Sequence, residues 1–298
     1  MKKNLLVLAG PTAVGKTAWA IELAKSIGAS ILSADSRQCY RELGVAVAKP
    51  SDTELKEVLH YFINTHSIFE TVTAADYLRY GREVLERLFQ SSDWVVVCGG
   101  TGLYLNALLH GMDEIPETDP MIRQTIIDQY ALQGIAWLQD TLQAEDPEFA
   151  QARGLQNPQR MMRALEVKRS TNRSILRFQK KQSNTLPYNM HAFGMEMPRA
   201  ELNQHIDLRV DNMVEGGLLD EAKALYGHRH LNALQTVGYQ EIFECLDDAI
   251  SFDEAVKRIK IHTHQYAKRQ MTWFKRDSSM QWVDAREGVE VILSKIRP

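Results

Sequence analysis

The feature that most constrains the fold is the octapeptide Gly10-Pro11-Thr12-Ala13-Val14-Gly15-Lys16-Thr17, which fits G-x-x-x-x-G-K-[ST] at every fixed position. The apolar run Leu5 to Ala9 before it reads as a buried strand. The segment from Lys16 to about Ile27 carries Trp19, Ala20, Leu23, Ala24 and Ile27 at helical spacing. A glycine turn between such a strand and helix aims successive backbone N–H groups at one point, at the positive end of the helix dipole. That is a cradle for phosphate oxygens. Lys16 would reach the outer phosphate and the Thr17 hydroxyl would ligate Mg²⁺. Nucleotides are the commonest ligands of such loops, but the loop itself does not specify which phosphate compound it holds.

The next segments extend a parallel α/β pattern. Ser30 to Ala34 reads as a second strand ending in Asp35-Ser36-Arg37-Gln38, and Thr73-x-x-Asp76 is a capping box opening a helix to about Gln90. Trp94 to Cys98 has the continuous apolar character of a strand buried on both faces. Gly99-Gly100-Thr101-Gly102 follows, and then a helix from about Leu103 to Leu109. Strands alternating with helices give a parallel sheet whose sites lie at the strands' carboxyl ends. The pattern breaks after Gly111. Asp119-Pro120 is an N-cap followed by proline at the first helical position, and the chain from there to about Lys181 reads as helical. Ala192 to Met195 suits a strand returning to the sheet, and everything after about Arg199 reads as helices. The expected organisation is an α/β core with a parallel sheet flanked by helices, like that of the P-loop NTPases, in residues 1–114 and 190–298, with an all-helical insertion at 115–189.

Charge narrows the partners. Residues 159–181 hold eight Lys/Arg against the single acid Glu166, and residues 257–276 hold seven Lys/Arg and no acid. The two stretches carry +14 in a chain of net charge −3, so the remainder carries −17. Basic blocks on an acidic body point to a polyanion such as nucleic acid. The three cysteines, Cys39, Cys98 and Cys245, form no C-x-x-C pair, which argues against a zinc site or disulfide framework. No stretch has the length of a membrane span, and the apolar run near Met1 is too short for a secretion signal. A cytoplasmic protein acting as a monomer is expected.

A phosphate-loop ATPase places a carboxylate at the end of a neighbouring strand to serve Mg²⁺ or water. Here the best core strand ends in Gly99-Gly100, and the only strand-end carboxylate near the loop in sequence is Asp35. It suits either Mg²⁺ or a proton taken from an attacking nucleophile. Arg37 and Gln38 beside it have the side chains that read base edges and phosphates, and Thr101 sits in a glycine nest.

Five blocks in this order carry a resemblance: the phosphate loop; Asp35-Ser36-Arg37-Gln38; Gly99-Gly100-Thr101-Gly102-Leu103-Tyr104; Arg160-x-x-Arg163-Ala164-Leu165-Glu166-Val167; and Tyr266-Ala267-Lys268-Arg269-Gln270-x-Thr272-Trp273-Phe274. The chain resembles the bacterial tRNA dimethylallyltransferases, also called tRNA isopentenyltransferases, from the first strand to about Trp282. The resemblance implies transfer of a dimethylallyl group from dimethylallyl diphosphate to N6 of the adenosine 3′ of the anticodon, in tRNAs reading codons that start with U. It implies that Gly10 to Thr17 hold the diphosphate, with Lys16 and Mg²⁺ stabilising it. Asp35 would be the general base, Thr101 would lie in the catalytic channel, and Arg209 would steady the diphosphate. Contacts to the tRNA anticodon stem-loop would come from Asp35, Ser36, Arg37, Gln38, Thr101, Arg123 and the run Gln159, Arg160, Met161, Met162, Arg163. The chain departs from the family pattern at Cys39, Asn64 and His264, none of them in the core chemistry. A metabolite kinase and a nucleotide-switched RNA-binding module are the other readings of a phosphate loop with basic blocks. The missing strand-end carboxylate and the basic insertion count against the kinase.

Overall fold

The computed structural model describes residues 3–179 and 186–296. In chain order its regular elements begin β1 (Asn4–Ala9), α1 (Lys16–Ile27), β2 (Ser30–Ser33), α2 (Asp52–Glu57), β3 (His60–Tyr61), α3 (Ala74–Leu88), β4 (Trp94–Gly99) and α4 (Gly102–His110). There follow α5 (Pro120–Glu145), α6 (Pro147–Ala152), α7 (Pro158–Thr171), β5 (Asn189–Glu196), α8 (Arg199–Glu215) and α9 (Leu218–Leu225). The last are α10 (Tyr239–Leu246), α11 (Phe252–Phe274), β6 (Gln281–Asp284) and α12 (Glu290–Ile296).

The strands form one sheet in the order β3-β2-β4-β1-β5-β6, and every pairing is parallel. The loop-bearing strand β1 lies inside it, between β4 and β5. Side chains alternate across a strand, so β1 divides its burial between two cores. Leu5, Val7 and Ala9 join Tyr77 and Val84 of α3, Leu108 of α4 and Ile259 of α11. Leu6 and Leu8 join Trp19 and Leu23 of α1, Ile206 of α8 and Ile292 of α12.

The local signals act where the sequence puts them. The Thr73 hydroxyl accepts from Asp76 N while the Asp76 carboxylate accepts from Thr73 N, closing the capping box of α3. The Asp119 carboxylate accepts from Met121 N at the start of α5. Two strands were not legible. β3 has two residues, and β6 falls in the stretch expected to be wholly helical. In Gln281-Trp282-Val283-Asp284 only two side chains are apolar and only Val283 is buried, so as an edge strand it lacks the apolar run that marks β1 and β4.

Contacts divide the chain into two compact units, Met1–Leu109 with Thr185–Pro298, and His110–Asn184. The second has its own core, in which Ile126, Leu138 and Leu142 of α5 meet Phe149 of α6 and Met161, Met162 and Leu165 of α7. Helix α5 is interrupted at Gly134, whose φ of 73° lies in the left-handed region that glycine reaches without penalty. Among the described residues no helix is long and apolar enough to cross a membrane.

Candidate active site and nucleic-acid interface

The phosphate loop follows β1 directly. Its backbone turns back through positive φ at Ala13 (64°) and Gly15 (92°), the curling that brings successive N–H groups to a common point. Lys16 opens α1 and its Nζ donates to Pro11 O at 2.5 Å, folding the side chain over its own loop. Burial draws the Lys16 pKa down to about 8; the approach of Cys98 and Asp35 resists this and that of Arg209 adds to it.

At the carboxyl ends of β2 and β4 the chains approach so closely that a Cβ on Gly99 would stand 2.2 Å from Ala34 O. Only glycine fits there, which is why no carboxylate occupies the end of β4. Beyond that crossing, Thr101 N donates to Ala34 O (3.1 Å), and the Thr101 hydroxyl accepts from Ser36 N (3.1 Å) and donates to Ser36 Oγ (3.3 Å). Asp35 Oδ1 accepts from Arg37 N (2.8 Å) and Gln38 N (3.2 Å), fixing the carboxylate in a turn. Gln38 Nε2 donates to Ala48 O (3.1 Å), and Arg37 Nη2 to Gln235 O (3.4 Å).

One cavity joins these groups. Thr12, Lys16, Thr17, Asp35, Ser36, Arg37, Gln38 and Arg209 all line it. Arg209, on α8, has its pKa drawn down by burial, with Asp35 and Tyr266 opposing. The rest of the wall is largely apolar: Ala46, Val47, Ala48 and Pro50 from the loop after β2, Val210 and Met213 from α8, Val237, and Ile259 from α11. Tyr266 of α11 also lines it, and burial with the nearby Asp35 charge pushes its phenol up to about 12, so it remains a hydrogen-bond donor at neutral pH.

Three participants were missed. The apolar wall is assembled from segments far apart in sequence. Glu221 of α9 holds part of it: its carboxylate accepts from Gly44 N, Val45 N and Ala46 N at 2.8 to 3.0 Å and from the Tyr239 hydroxyl at 2.6 Å. Gln270 lies in the sequence block Tyr266 to Phe274, but nothing in its residue type announces its partners. Among the departures, Asn64 adopts φ 56°, which asparagine tolerates well, His264 Nε2 stands 3.0 Å from Asp207 Oδ1, and Cys39 is buried.

Thr17 and Asp35 offer two hard oxygen donors to one cavity, and among the described residues no cluster of three His, Cys, Asp or Glu could hold an ion. This donor set fits Mg²⁺, which keeps most of its waters and is held through one or two protein oxygens plus substrate phosphates.

The remaining candidates belong to the second unit. Glu166, 3% exposed, accepts a hydrogen bond from Arg163 Nη1 at 3.1 Å and has Arg123 Nη1 3.9 Å away. The Arg163 guanidinium also donates to Thr118 Oγ1. Met161 and Met162 pack into the core, so Gln159 and Arg160 form the exposed part of that run.

Ion pairs reduce both basic blocks. Arg169 is bound by Glu145, Arg177 by Glu148, Arg258 by Glu244 and Glu254, Lys260 by Asp211 and Lys275 by Glu196. Lys180 and Lys181 lie outside the described residues. This leaves Lys268 and Arg269 on α11 and Arg276 just past its end, with Thr272 and the 43%-exposed Trp273, around one shallow surface groove. Cations beside an exposed indole suit a nucleic-acid strand, which offers phosphates and flat bases together.

A family model described as IPP transferase matches residues 38–277. The tRNA dimethylallyltransferase of Cytophaga hutchinsonii is 41% identical over 291 residues, covering 98% of this chain and 96% of the relative. The crystal structure of the tRNA isopentenylpyrophosphate transferase from Bacillus halodurans superposes with a TM-score of 0.73 at 33% identity, over 99% of this chain and 96% of that one. A eukaryotic dimethylallyltransferase acting on tRNA shares the fold, with a TM-score of 0.79 at 24% identity over 95% of this chain and 74% of that one. With matches that run nearly end to end, the chain belongs to the IPP transferase family and is a transferase.

Proposed function

We propose that this chain transfers a dimethylallyl group from dimethylallyl diphosphate to N6 of the adenosine 3′ of the anticodon, in tRNAs that read codons starting with U. The observation that carries the reading is the single cavity in which Lys16, Thr17 and Arg209 face a wall of small and branched apolar side chains, with Asp35 lining the same space. A short branched hydrocarbon on a diphosphate matches that division.

The chain's residues divide the work. Lys16 and Arg209 bring positive charge to the diphosphate, where negative charge grows as the allylic C–O bond breaks. The Thr17 hydroxyl would hold Mg²⁺, which neutralises the same leaving charge when bound. As that bond opens, the adenine N6 lone pair forms the new N–C bond. The nitrogen is a weak nucleophile because its lone pair is delocalised into the ring, so its proton must leave as the bond forms. Asp35 Oδ2 accepts it. The products are the N6-prenylated base and diphosphate, and the proton passes to solvent. Arg37 and the Thr101–Ser36 clasp border the place where the base enters, and a base in an RNA loop must leave its stack to reach it. Gln159, Arg160, Arg163, Arg123 and the groove formed by Lys268, Arg269 and Arg276 are the contacts assigned to the anticodon stem-loop. A cytoplasmic location and a monomer go with this reading, since unmodified tRNA is the substrate and one chain contains the whole cavity.

The test is incubation with dimethylallyl diphosphate, ATP, Mg²⁺ and unmodified tRNA, followed by nucleoside analysis. Prenylated adenosine is expected. ATP consumption with no prenylated base would overturn the reading in favour of a kinase.

A further inference from the structure

The geometry points to Gln270 as a positioning residue that fixes the phosphate loop against the turn after β4. Its side chain is 6% exposed. Its Oε1 accepts from Thr12 N at 2.8 Å, and its Nε2 donates to Gly100 O at 2.9 Å. Gln270 is 258 and 170 positions from these partners in sequence, and beyond Ala9 and Gly99, the last paired residues of β1 and β4, its amide carries the link between the two chains onward into their loops. The amide's orientation is unambiguous, because a peptide N–H only donates and a carbonyl only accepts. Neither bond is incidental to packing: a Cβ on Gly100 would stand 2.3 Å from Nε2, so Gly100 is the residue that gives Gln270 room.

The two partners lie on opposite sides of the chemistry. Thr12 belongs to the cradle whose next turn presents Lys16 and Thr17. Gly100 precedes Thr101, whose hydroxyl holds Ser36 beside Asp35. One side chain therefore sets the spacing between the diphosphate-holding loop and the segment that carries the base. It also takes the Thr12 N–H out of the cradle, so that phosphate oxygens are received by the amides nearer Lys16. Among the described residues, no other side chain donates or accepts a hydrogen bond to both segments. Gln270 also lines the cavity, but its amide oxygen and nitrogen are bound to the two loops, and the role assigned to it is exerted through them. The inference rests on the proposed reaction for its kinetic consequences, but not for its binding consequence, which concerns diphosphate alone.

The test compares wild type with Gln270→Met, which keeps length and loses both bonds, and Gln270→Glu, which keeps the acceptor for Thr12 N and sets a carboxylate oxygen against Gly100 O. Binding of inorganic diphosphate with Mg²⁺ is measured by calorimetry without RNA, together with Tm and tRNA affinity. Each unpaired buried peptide group shifts an equilibrium by roughly ten-fold. Diphosphate affinity is therefore expected to fall about 10- to 100-fold in both variants, with tRNA affinity unchanged. In steady-state assays the KM for dimethylallyl diphosphate should rise while that for tRNA stays. Diphosphate affinity within two-fold of wild type in the folded Glu variant would overturn the positioning role, as would an equal loss of diphosphate and tRNA binding. A wild-type protein that binds diphosphate but prenylates no tRNA would overturn the proposed reaction instead, and the affinity comparison would still decide the role of Gln270.

Discussion

Arg160 and Arg163 lie one helical turn apart on α7, yet replacing them should give opposite kinds of defect. At an effective dielectric of about 20, unit charges at the 3.1 Å Arg163–Glu166 separation attract by about 5 kcal/mol, and at the 3.9 Å Arg123–Glu166 separation by about 4 kcal/mol. Removing one partner of a buried pair costs about 3 to 5 kcal/mol, because the remaining charge is stranded. Two features reduce that here. The Arg163 side chain is 36% exposed, so water screens it, and Arg123 remains beside the carboxylate. About 2 kcal/mol is expected for Arg163→Ala, or a fall in Tm on the order of 5 °C. Arg160 is exposed and has no ion pair among the described residues, so Arg160→Ala should change stability by less than about 0.5 kcal/mol. It should instead weaken tRNA binding and lower the dependence on log salt by about 1. Denaturant titration of both variants and of Arg163→Ala with Glu166→Gln completes the comparison. The double variant should recover part of the loss, since no charge is left stranded. An Arg163→Ala protein as stable as wild type would refute the argument, as would one no better with Glu166→Gln added.

Asp35→Asn keeps the oxygen that accepts from Arg37 N and Gln38 N but removes the base, so kcat should fall by at least about 100-fold while the KM for dimethylallyl diphosphate holds; near-normal turnover would dismiss Asp35 from proton transfer. Lys16, with its pKa drawn to about 8 in the free protein, becomes more basic once a diphosphate anion lies against it. The bound-state pKa is then the higher one, so the attraction is fully present below pH 8 and is lost as pH rises, by up to about ten-fold in affinity per unit. Calorimetry in buffers of different ionisation heat should find proton uptake on binding at pH 8 to 9, and none would contradict the desolvated lysine. Glu221→Ala frees three loop amides, and a rise of about ten-fold in the KM for the prenyl substrate with little change for tRNA is expected; equal effects on both would mean general unfolding. Alanine at Lys268, Arg269 and Arg276 together should lower the salt slope of tRNA binding by about 2 to 3, whereas Lys260→Ala, already paired with Asp211, should leave it alone.

What the sequence revealed depended on how far apart the cooperating residues lie. The strand Leu5 to Ala9, the loop and α1 form one continuous signal, and the Thr73–Asp76 capping box and Asp119-Pro120 act within four residues. The cavity wall has no such locality. Ala46, Met213, Val237 and Ile259 are ordinary core residues until the sheet order brings their segments together. The amide of Gln270 carries no mark of its two distant partners. Counting charge along the chain overstated the basic blocks for the same reason, since Lys260, Arg258 and Lys275 are neutralised by Asp211, Glu244 and Glu196 from elsewhere. β6 was hidden by its brevity, having one buried side chain in four residues.

That brevity has a use. A parallel sheet six strands wide ends in two rows of unpaired peptide groups, and each row is a template for another chain's strand. Here one border is the two-residue β3 and the other the four-residue β6. On the β6 side the Lys275 ammonium lies 5.2 Å above the Trp282 ring, and Arg286 is held to the Asp284 carboxylate. A stray strand would find only a turn or so of ladder to join and charged side chains beside it. The six-residue apolar strands β1 and β4, the better templates for pairing, are kept in the interior of the sheet, and the borders left to meet other chains are short and charged.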